Sequence, residues 1–180
     1  MNDKHEFPEV PAEPYAFTVC RIEPENNLHM ILEAFRKPPL AVPRLVAVGN
    51  WQHSEYSRNL WTEYGQYEHI RLLNPIYDLQ KLNLLRGHCR VYLHGHSCGG
   101  TNPSLVEAMY MGLTVIAFDV NFNRETTEHQ AWYFTSAEQL HDLCDNFDLA
   151  EAQQMAERMK CIADRRYTWQ RISECYAELF

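Results

Sequence analysis

The chain has little positive charge, no long apolar run and no closely spaced cysteines. It carries 16 lysines and arginines against 24 aspartates and glutamates, a formal net charge of −8. This balance argues against a nucleic-acid binder, because neutralising a phosphate backbone requires clustered cations. It leaves room for a local cationic pocket that holds a phosphorylated small molecule. No apolar segment reaches the roughly 18 residues of a membrane span, and residues 1–6 lack the apolar core of a signal peptide.

The six cysteines include no C-x-x-C pair; they stand at positions 20, 89, 98, 144, 161 and 175. The common zinc-ligand spacing is therefore missing. A chain of 180 residues can bury a sizeable core without covalent cross-links. Free thiols are accordingly favoured over a disulfide framework.

Short apolar runs alternate with segments of helical periodicity along most of the chain. Residues 1–14 hold four acidic residues and three prolines, which is typical of an extended arm or linker. Strands are predicted at 15–20, 44–49, 68–73, 90–94 and 113–118. A polar stretch at 119–130 precedes a short apolar piece at 131–134. Helices are predicted at 26–36, 54–64, 78–86, 103–111, 136–144, 149–164 and 168–180, with N-caps at Ser54, Asp78 and Asn102 and an end at Gly112.

Near-continuously apolar strands separated by helices predict a parallel sheet covered on both faces. With right-handed crossovers this is a Rossmann-like, doubly wound α/β domain, here spanning residues 15–180. Ligands of such sheets bind beyond the carboxyl ends of the strands. The loop that follows the first strand contains no G-x-G-x-x-G and the chain has no P-loop motif, so a dinucleotide site and a P-loop phosphate site are disfavoured.

The glycine-rich segment between the fourth predicted strand and the following helix carries most of the chemical signal. Gly99 and Gly100 let a ligand approach the backbone closely, and the start of the helix favours an anion. Thr101 and Ser104 add hydroxyl donors, and Glu107 can accept hydrogen bonds from hydroxyls such as those of a ribose. A plainly capped helix with Glu107 as a first-turn acid also fits, and the pattern leaves both interpretations open.

Arg21 ends the first predicted strand, so its side chain reaches the same edge of the sheet. It could clamp a diphosphate, or pair on the surface with Glu23 or Glu25. His94 and His96 form an H-x-H pair, but no third metal ligand is evident. We expect no metal site there; either imidazole could instead contact a substrate.

Three segments together resemble a known family: residues 21–27 (RIEPENN), 99–107 (GGTNPSLVE) and 167–169 (YTW). They resemble the C-terminal half of a retaining family 4 glycosyltransferase with the GT-B fold. The phrase HGHSCGGTNPSLVEAMYMG is similar to the branch that contains bacterial rhamnosyltransferases of surface-polysaccharide synthesis. The resemblance runs from about residue 15 to residue 180.

The resemblance implies a cytoplasmic enzyme with two facing Rossmann-like domains, of which this chain is the donor-binding half. An N-terminal acceptor domain would be the missing partner, residues 1–14 would lead to it, and it could hold the protein at the inner face of the membrane. The donor would be a dTDP-, UDP- or GDP-linked hexose or deoxyhexose, with dTDP-rhamnose as the branch expectation. The resemblance implies no bound metal or other cofactor, and no activity for this half alone.

Residue by residue, the resemblance assigns these contacts to the donor diphosphate: Arg21, Asn26, Gly99, Gly100, Thr101, Asn102 and Ser104. Asn26 stands where the family has a lysine. Glu107 matches the second glutamate of the E-x7-E motif and would bind the ribose. The first glutamate falls at Gly99, so His96, the candidate catalytic residue, or Ser97 would have to act at the sugar. The residues near the base would be Asn74, Pro75 and Ile76.

Two other functions remain open at this point. One is a GT-B nucleotide-sugar epimerase of the UDP-GlcNAc 2-epimerase type, against which the polysaccharide-like phrase argues. The other is a non-catalytic nucleotide-binding or interaction module. The missing glutamate at Gly99 and the missing lysine at Asn26 favour that module, whereas Arg21 and Glu107 argue for donor binding.

Overall fold

Six parallel strands form one sheet in the part of the chain that the structure describes. The computed structural model describes residues 9–177, except for the side chains of residues 175 and 176. The strands are β1 (Tyr15–Val19), β2 (Arg44–Val48), β3 (Ile70–Leu73), β4 (Val91–His94), β5 (Val115–Phe118) and β6 (Trp132–Phe134). Their order is β3-β2-β1-β4-β5-β6, and every neighbouring pair is parallel. The predicted Rossmann-like, doubly wound sheet is confirmed.

Helices cover both faces of this sheet. They are α1 (Leu28–Ala34), α2 (Glu55–Tyr64), α3 (Leu79–Gly87), α4 (Pro103–Tyr110), α5 (Asn121–Thr126), α6 (Ala137–Asp145), α7 (Leu149–Arg166) and α8 (Trp169–Ala177). Because successive strand residues point to opposite faces, β1 contributes to two cores. Ala16 belongs to the core that contains Leu28 of α1 and Leu140 of α6, whereas Phe17 belongs to the core that contains Leu85 of α3.

The predicted helix starts are confirmed by their caps. The Ser54 hydroxyl accepts a hydrogen bond from the Ser57 N–H at 3.1 Å. The Asp78 carboxylate accepts from the Gln80 N–H at 2.9 Å, and the Asn102 side-chain oxygen closes the first turn of α4. These short-range interactions follow from the residue types alone.

Three predicted elements differ from the structure. The helix expected at 26–36 divides into a 3-10 turn, Pro24–Asn26, and α1, because Asn27 between them adopts a left-handed conformation with φ of 47°. The polar stretch 119–130 contains α5, whose inward side chain Asn123 is fully buried and polar, so no apolar period reveals the helix. The apolar piece at 131–134 is a sixth strand, which pairs with β5.

The segment that precedes β1 lies at the amino ends of the strands, opposite their carboxyl ends. Its described part, residues 9–14, is held by an ion pair between Glu13 and Arg44 and by the Arg71 guanidinium, which donates to the Glu9 carbonyl at 2.6 Å. Residues 1–8 of the expected arm and residues 178–180 of the last predicted helix lie outside the described residues.

Residues 9–177 include five cysteines whose side chains the structure describes. Five cysteines, at positions 20, 89, 98, 144 and 161, are free thiols, as predicted for them; the Cys175 side chain is not described. Within the same range no helix combines the length and the apolar character that a bilayer crossing requires.

Candidate functional site

Two loops meet where the strand order reverses, between β1 and β4. The Asn27 side chain donates to the Gly95 carbonyl at 2.9 Å. The Ser97 N–H and its hydroxyl both donate to the Glu25 carbonyl at 2.8 Å. An added Cβ at Gly95 would lie 2.1 Å from the Asn26 carbonyl oxygen, so the approach requires glycine. A doubly wound sheet opens its ligand crevice at this reversal.

A cavity of about 370 Å³ opens at the meeting point. It brings together six residues that the sequence predicted for a site: Arg21, Asn26, His96, Asn102, Ser104 and Glu107. They come from two segments, residues 21–26 and 96–107, and the bonded residues Asn27 and Gly95 beside them are 68 positions apart in the chain. The doubly wound topology therefore gathers the predicted polar residues at one place.

A second cavity, of about 460 Å³, adjoins the first and shares Arg21 with it. Pro75 and Ile76, two of the three residues predicted near a base, line this second cavity together with the exposed Tyr77. Asn74 lines neither cavity. The two cavities lie side by side at Arg21, and together they are called the groove.

The glycine-rich loop lies outside the first cavity, on the exposed surface. Gly99, Gly100 and Thr101 are exposed and do not line the cavity. Gly99 has φ of +101°, a conformation that favours glycine. Within residues 9–177, the backbone N–H groups of 99–102 donate to no protein acceptor. Four consecutive free donors before a helix start form a place where an anion can be held.

Arg21 is exposed and available to a ligand. The sequence left open an ion pair with Glu23 or Glu25, but neither carboxylate pairs with Arg21 among the described residues. The Glu23 carboxylate lies 3.3 Å from the His53 imidazole instead. The guanidinium therefore retains its capacity for a bidentate contact with phosphate oxygens.

Glu107 forms an ion pair with a buried arginine, Arg86, which the sequence did not predict as part of the site. The Arg86 Nη1 lies 2.8 Å from a Glu107 carboxylate oxygen, and the arginine side chain is 4% exposed. The Arg86 Nε is buried without a hydrogen-bond partner in the described structure. An arginine in the last turn of a helix is ordinarily explained by the helix dipole, so no local pattern marked it as part of the site.

His94 and His96 lie close together, with ring centroids 6.0 Å apart. His94 is buried, and its Nε2 has no hydrogen-bond partner in the described structure. Burial, followed by the neighbouring His96, lowers the pKa of His94 to about 3, so this imidazole is neutral near pH 7. Across residues 9–177 no cluster of three or more histidine, cysteine or acidic side chains could hold a metal ion.

His96 and Ser97, the two candidates for a contact at the sugar, differ in what remains free. The Ser97 hydroxyl proton is used by the Glu25 carbonyl. The His96 Nδ1 lies 2.8 Å from the Asn26 side-chain oxygen, and its Nε2 makes no hydrogen bond within the described residues. Burial lowers the pKa of His96; the Arg21 charge acts in the same direction, and Glu25 opposes it. His96 therefore offers an uncharged ring nitrogen beside the glycine-rich loop.

Residues 95–99 also match G-x-S-x-G, the nucleophile-elbow pattern of α/β-hydrolases, which the sequence reasoning did not recognise. The geometry does not complete a catalytic triad among the described residues. The Ser97 hydroxyl points to a backbone carbonyl, and no imidazole is hydrogen-bonded to it. A nucleophilic serine requires such a base, so the match does not indicate a hydrolase.

The family model for glycosyl transferases group 1 matches residues 2–166. The chain belongs to the group 1 glycosyltransferases. No curated protein matches its sequence. The described domain thus has the fold of this family, and its groove lies between the loops that follow β1 and β4.

Solved glycosyltransferases share the fold of this group 1 domain at low identity. HepE from Anabaena, crystallised with UDP-glucose, has a TM-score of 0.77 and 20% identity over 93% of this chain and 48% of its own. Sucrose-phosphate synthase from Thermosynechococcus elongatus has a TM-score of 0.77 and 19% identity over 94% of this chain and 46% of its own. The chain spans about half the length of these two proteins. The C-terminal domain of LpcC, a group 1 glycosyltransferase from Francisella tularensis, has a TM-score of 0.71 and 17% identity over 87% of this chain and 89% of its own.

The groove of this group 1 glycosyltransferase domain combines three kinds of polar group. Arg21 supplies an exposed cation, the free N–H groups of 99–102 supply neutral donors, and Glu107 supplies an anchored acceptor. Such a set can bind a phosphate through the first two and a hydroxyl through the third.

Proposed function

We propose that this chain is the donor half of a retaining glycosyltransferase and binds a nucleotide sugar in the groove between β1 and β4. One observation carries the proposal: Arg21, Ser104 and Glu107 line one cavity beside the free N–H groups of the β4–α4 loop. HepE, which shares the fold, was crystallised with UDP-glucose.

The proposed binding mode follows from the chemistry of each group. Arg21 and the N–H groups of residues 99–102 contact the diphosphate, and Glu107 accepts hydrogen bonds from the ribose. Pro75 and Ile76 border the more apolar cavity, which suits the flat face of a base. Cation, N–H groups and helix dipole stabilise the diphosphate leaving group in place of a metal, so we propose that no metal or other cofactor takes part.

The finer assignment rests on sequence resemblance. The phrase at residues 94–112 resembles the rhamnosyltransferase branch, so we propose a hexose or deoxyhexose donor, with dTDP-rhamnose first, used in surface-polysaccharide synthesis. An N-terminal domain would carry the acceptor site. Without that domain only the donor side of the cleft is present, so we expect this chain alone to bind the donor without transferring sugar.

Calorimetric titration with UDP, dTDP and GDP tests the proposal. We expect one nucleotide to bind selectively and Glu107→Ala to reduce that binding. The matched control is Arg44→Ala, which removes an exposed arginine at the opposite edge of the sheet and should leave binding unchanged. Equal titration heats for the unaltered chain and for buffer, with all three nucleotides, would contradict donor binding and favour a non-catalytic interaction module.

A further inference from the structure

Asn26 links the two loops of the site through its side chain. Its Nδ2 donates to the Arg21 carbonyl at 2.8 Å, and its Oδ1 lies 2.8 Å from the His96 Nδ1. The side chain is buried, with the residue 6% exposed. The amide nitrogen and the amide oxygen are therefore both hydrogen-bonded to groups of this chain. This argues against a direct contact of Asn26 with the diphosphate.

These two hydrogen bonds fix the proton on His96. The Arg21 carbonyl can only accept, so the amide NH₂ must face it and the amide oxygen must face His96. That oxygen carries no proton, so His96 Nδ1 is the donor. Because burial lowers the pKa of His96, the ring is neutral near pH 7, and its Nε2 carries an unshared electron pair.

The backbone of His96 is also held in place. The buried Asn123 donates from its side chain to the His96 carbonyl at 2.9 Å. The Nε2 atom faces the glycine-rich loop, where a Cβ added at Gly99 would lie 3.7 Å from it. Arg21 and His96 line the same cavity, so a group attached to an Arg21-bound diphosphate lies in the cavity that His96 borders.

We propose that Asn26 is a positioning residue that holds His96 as its Nδ1–H tautomer, so that Nε2 accepts a hydrogen bond from a hydroxyl of the donor sugar. The inference rests on the proposed function for the presence of the sugar. It reassigns Asn26 from a phosphate contact to a residue that acts through His96. It also chooses His96 over Ser97, whose hydroxyl proton is already used.

The tautomer is measured first, by nitrogen–proton correlation NMR on the chain labelled with ¹⁵N-histidine. We expect His96 to carry its proton on Nδ1, toward the Asn26 side-chain oxygen, in the unaltered chain. Asn26→Ala removes that oxygen and should shift the proton toward Nε2. His141, whose Nδ1 lies 2.8 Å from the Ala34 carbonyl, serves as an internal reference that stays on Nδ1 in every variant.

The sugar contact is measured by comparing each nucleotide with its sugar conjugate: UDP with UDP-glucose, dTDP with dTDP-glucose and GDP with GDP-glucose. We expect Asn26→Ala and His96→Ala to weaken binding of the conjugate by about two- to tenfold, the range of one hydrogen bond, with the bare nucleotide unchanged. Asn146→Ala, which removes an exposed asparagine bonded to the Asp142 carbonyl, is the matched control.

Each contrary outcome overturns a different statement. A proton on Nε2 of His96 in the unaltered chain overturns the tautomer assignment. This result does not depend on whether any variant folds. Equal losses for nucleotide and conjugate overturn the sugar contact but leave donor binding intact. A chain that binds neither member of any pair overturns the proposed function itself, while the tautomer measurement still decides the role of Asn26.

Discussion

Arg86 and Glu107 form an ion pair across the floor of the groove, with Nη1 and Oε2 2.8 Å apart. The arginine side chain is 4% exposed and the glutamate side chain 52%. A buried guanidinium depends on its anion, because an unpaired buried charge is strongly destabilising. Glu107 is thereby held at the cavity while half of its surface remains available to a ligand.

Arg86→Met should leave the fold nearly unchanged and weaken nucleotide binding. Methionine fills a similar space without a charge, and the Glu107 carboxylate that it leaves unpaired is half exposed, so the free energy of unfolding should fall by about 1 kcal/mol or less. Glu107 loses its anchor, so binding of the nucleoside diphosphate should weaken in calorimetry. Undiminished binding would show that the ion pair has only a structural role.

Glu107→Ala should destabilise the domain because Arg86 is left unpaired. We expect a loss of about 1–2 kcal/mol in urea unfolding, below the roughly 3–5 kcal/mol of a fully buried pair because Glu107 is half exposed. The double variant Arg86→Met with Glu107→Ala should recover most of this loss. Additive losses in the double variant would contradict the coupling.

Arg21→Ala should weaken nucleoside-diphosphate binding by about 1.5–3 kcal/mol, the scale of a charge-assisted hydrogen bond. Arg21 is exposed and forms no ion pair among the described residues, so urea unfolding should be unchanged. Arg44→Ala is the control in the same calorimetric titration. Unaltered affinity of Arg21→Ala would remove Arg21 from the proposed donor site.

The sheet could be predicted from the sequence because its strands are apolar and its helices begin at capping residues. Local signals of this kind depend on neighbours within a few positions. The sixth strand was missed because it is three residues long and is defined by its pairing with β5. Helix α5 was missed because Asn123 faces inward as a polar residue, and its partners, the His96 and Phe118 carbonyls, are set by the tertiary fold.

The candidate site was predictable where a residue lies next to a strand end or helix start, as with Arg21 and Glu107. It was not predictable where two distant residues meet. Arg86 stands in the last turn of α3 and reaches Glu107 only because α3 and α4 pack on the same side of the sheet. The hydrogen bond of Asn26 to His96 spans 70 positions, and no spacing rule anticipates it.

Gly95→Ala should separate the two loops and destabilise the domain. The added Cβ would lie 2.1 Å from the Asn26 carbonyl oxygen, and such overpacking costs about 1–3 kcal/mol. Gly100→Ala is the matched control, since no atom lies within 4 Å of its added Cβ and its effect should stay within about 0.5 kcal/mol. Urea unfolding of both variants checks this, and equal stabilities would contradict the close approach.

The stability of the domain should fall on mild acidification because of His94. Burial lowers the pKa of His94 from 6.5 to about 3. In the unfolded chain the ring therefore takes up a proton as the pH falls through about 6.5, whereas in the folded chain it stays neutral down to about pH 3. The unfolded state binds more protons across this window, so the free energy of unfolding decreases as the pH decreases.

His94→Phe isolates this effect. A phenyl ring keeps the stacking on Tyr92, whose ring centroid lies 6.1 Å away, and removes a buried nitrogen that has no partner in the described structure. Between pH 7 and about pH 5.5 the unaltered chain should lose about 1 kcal/mol more than the variant in urea unfolding. His96 contributes in the same direction in both proteins, so the difference reports His94. Identical slopes in the two proteins would mean that His94 titrates normally and is not a neutral buried ring.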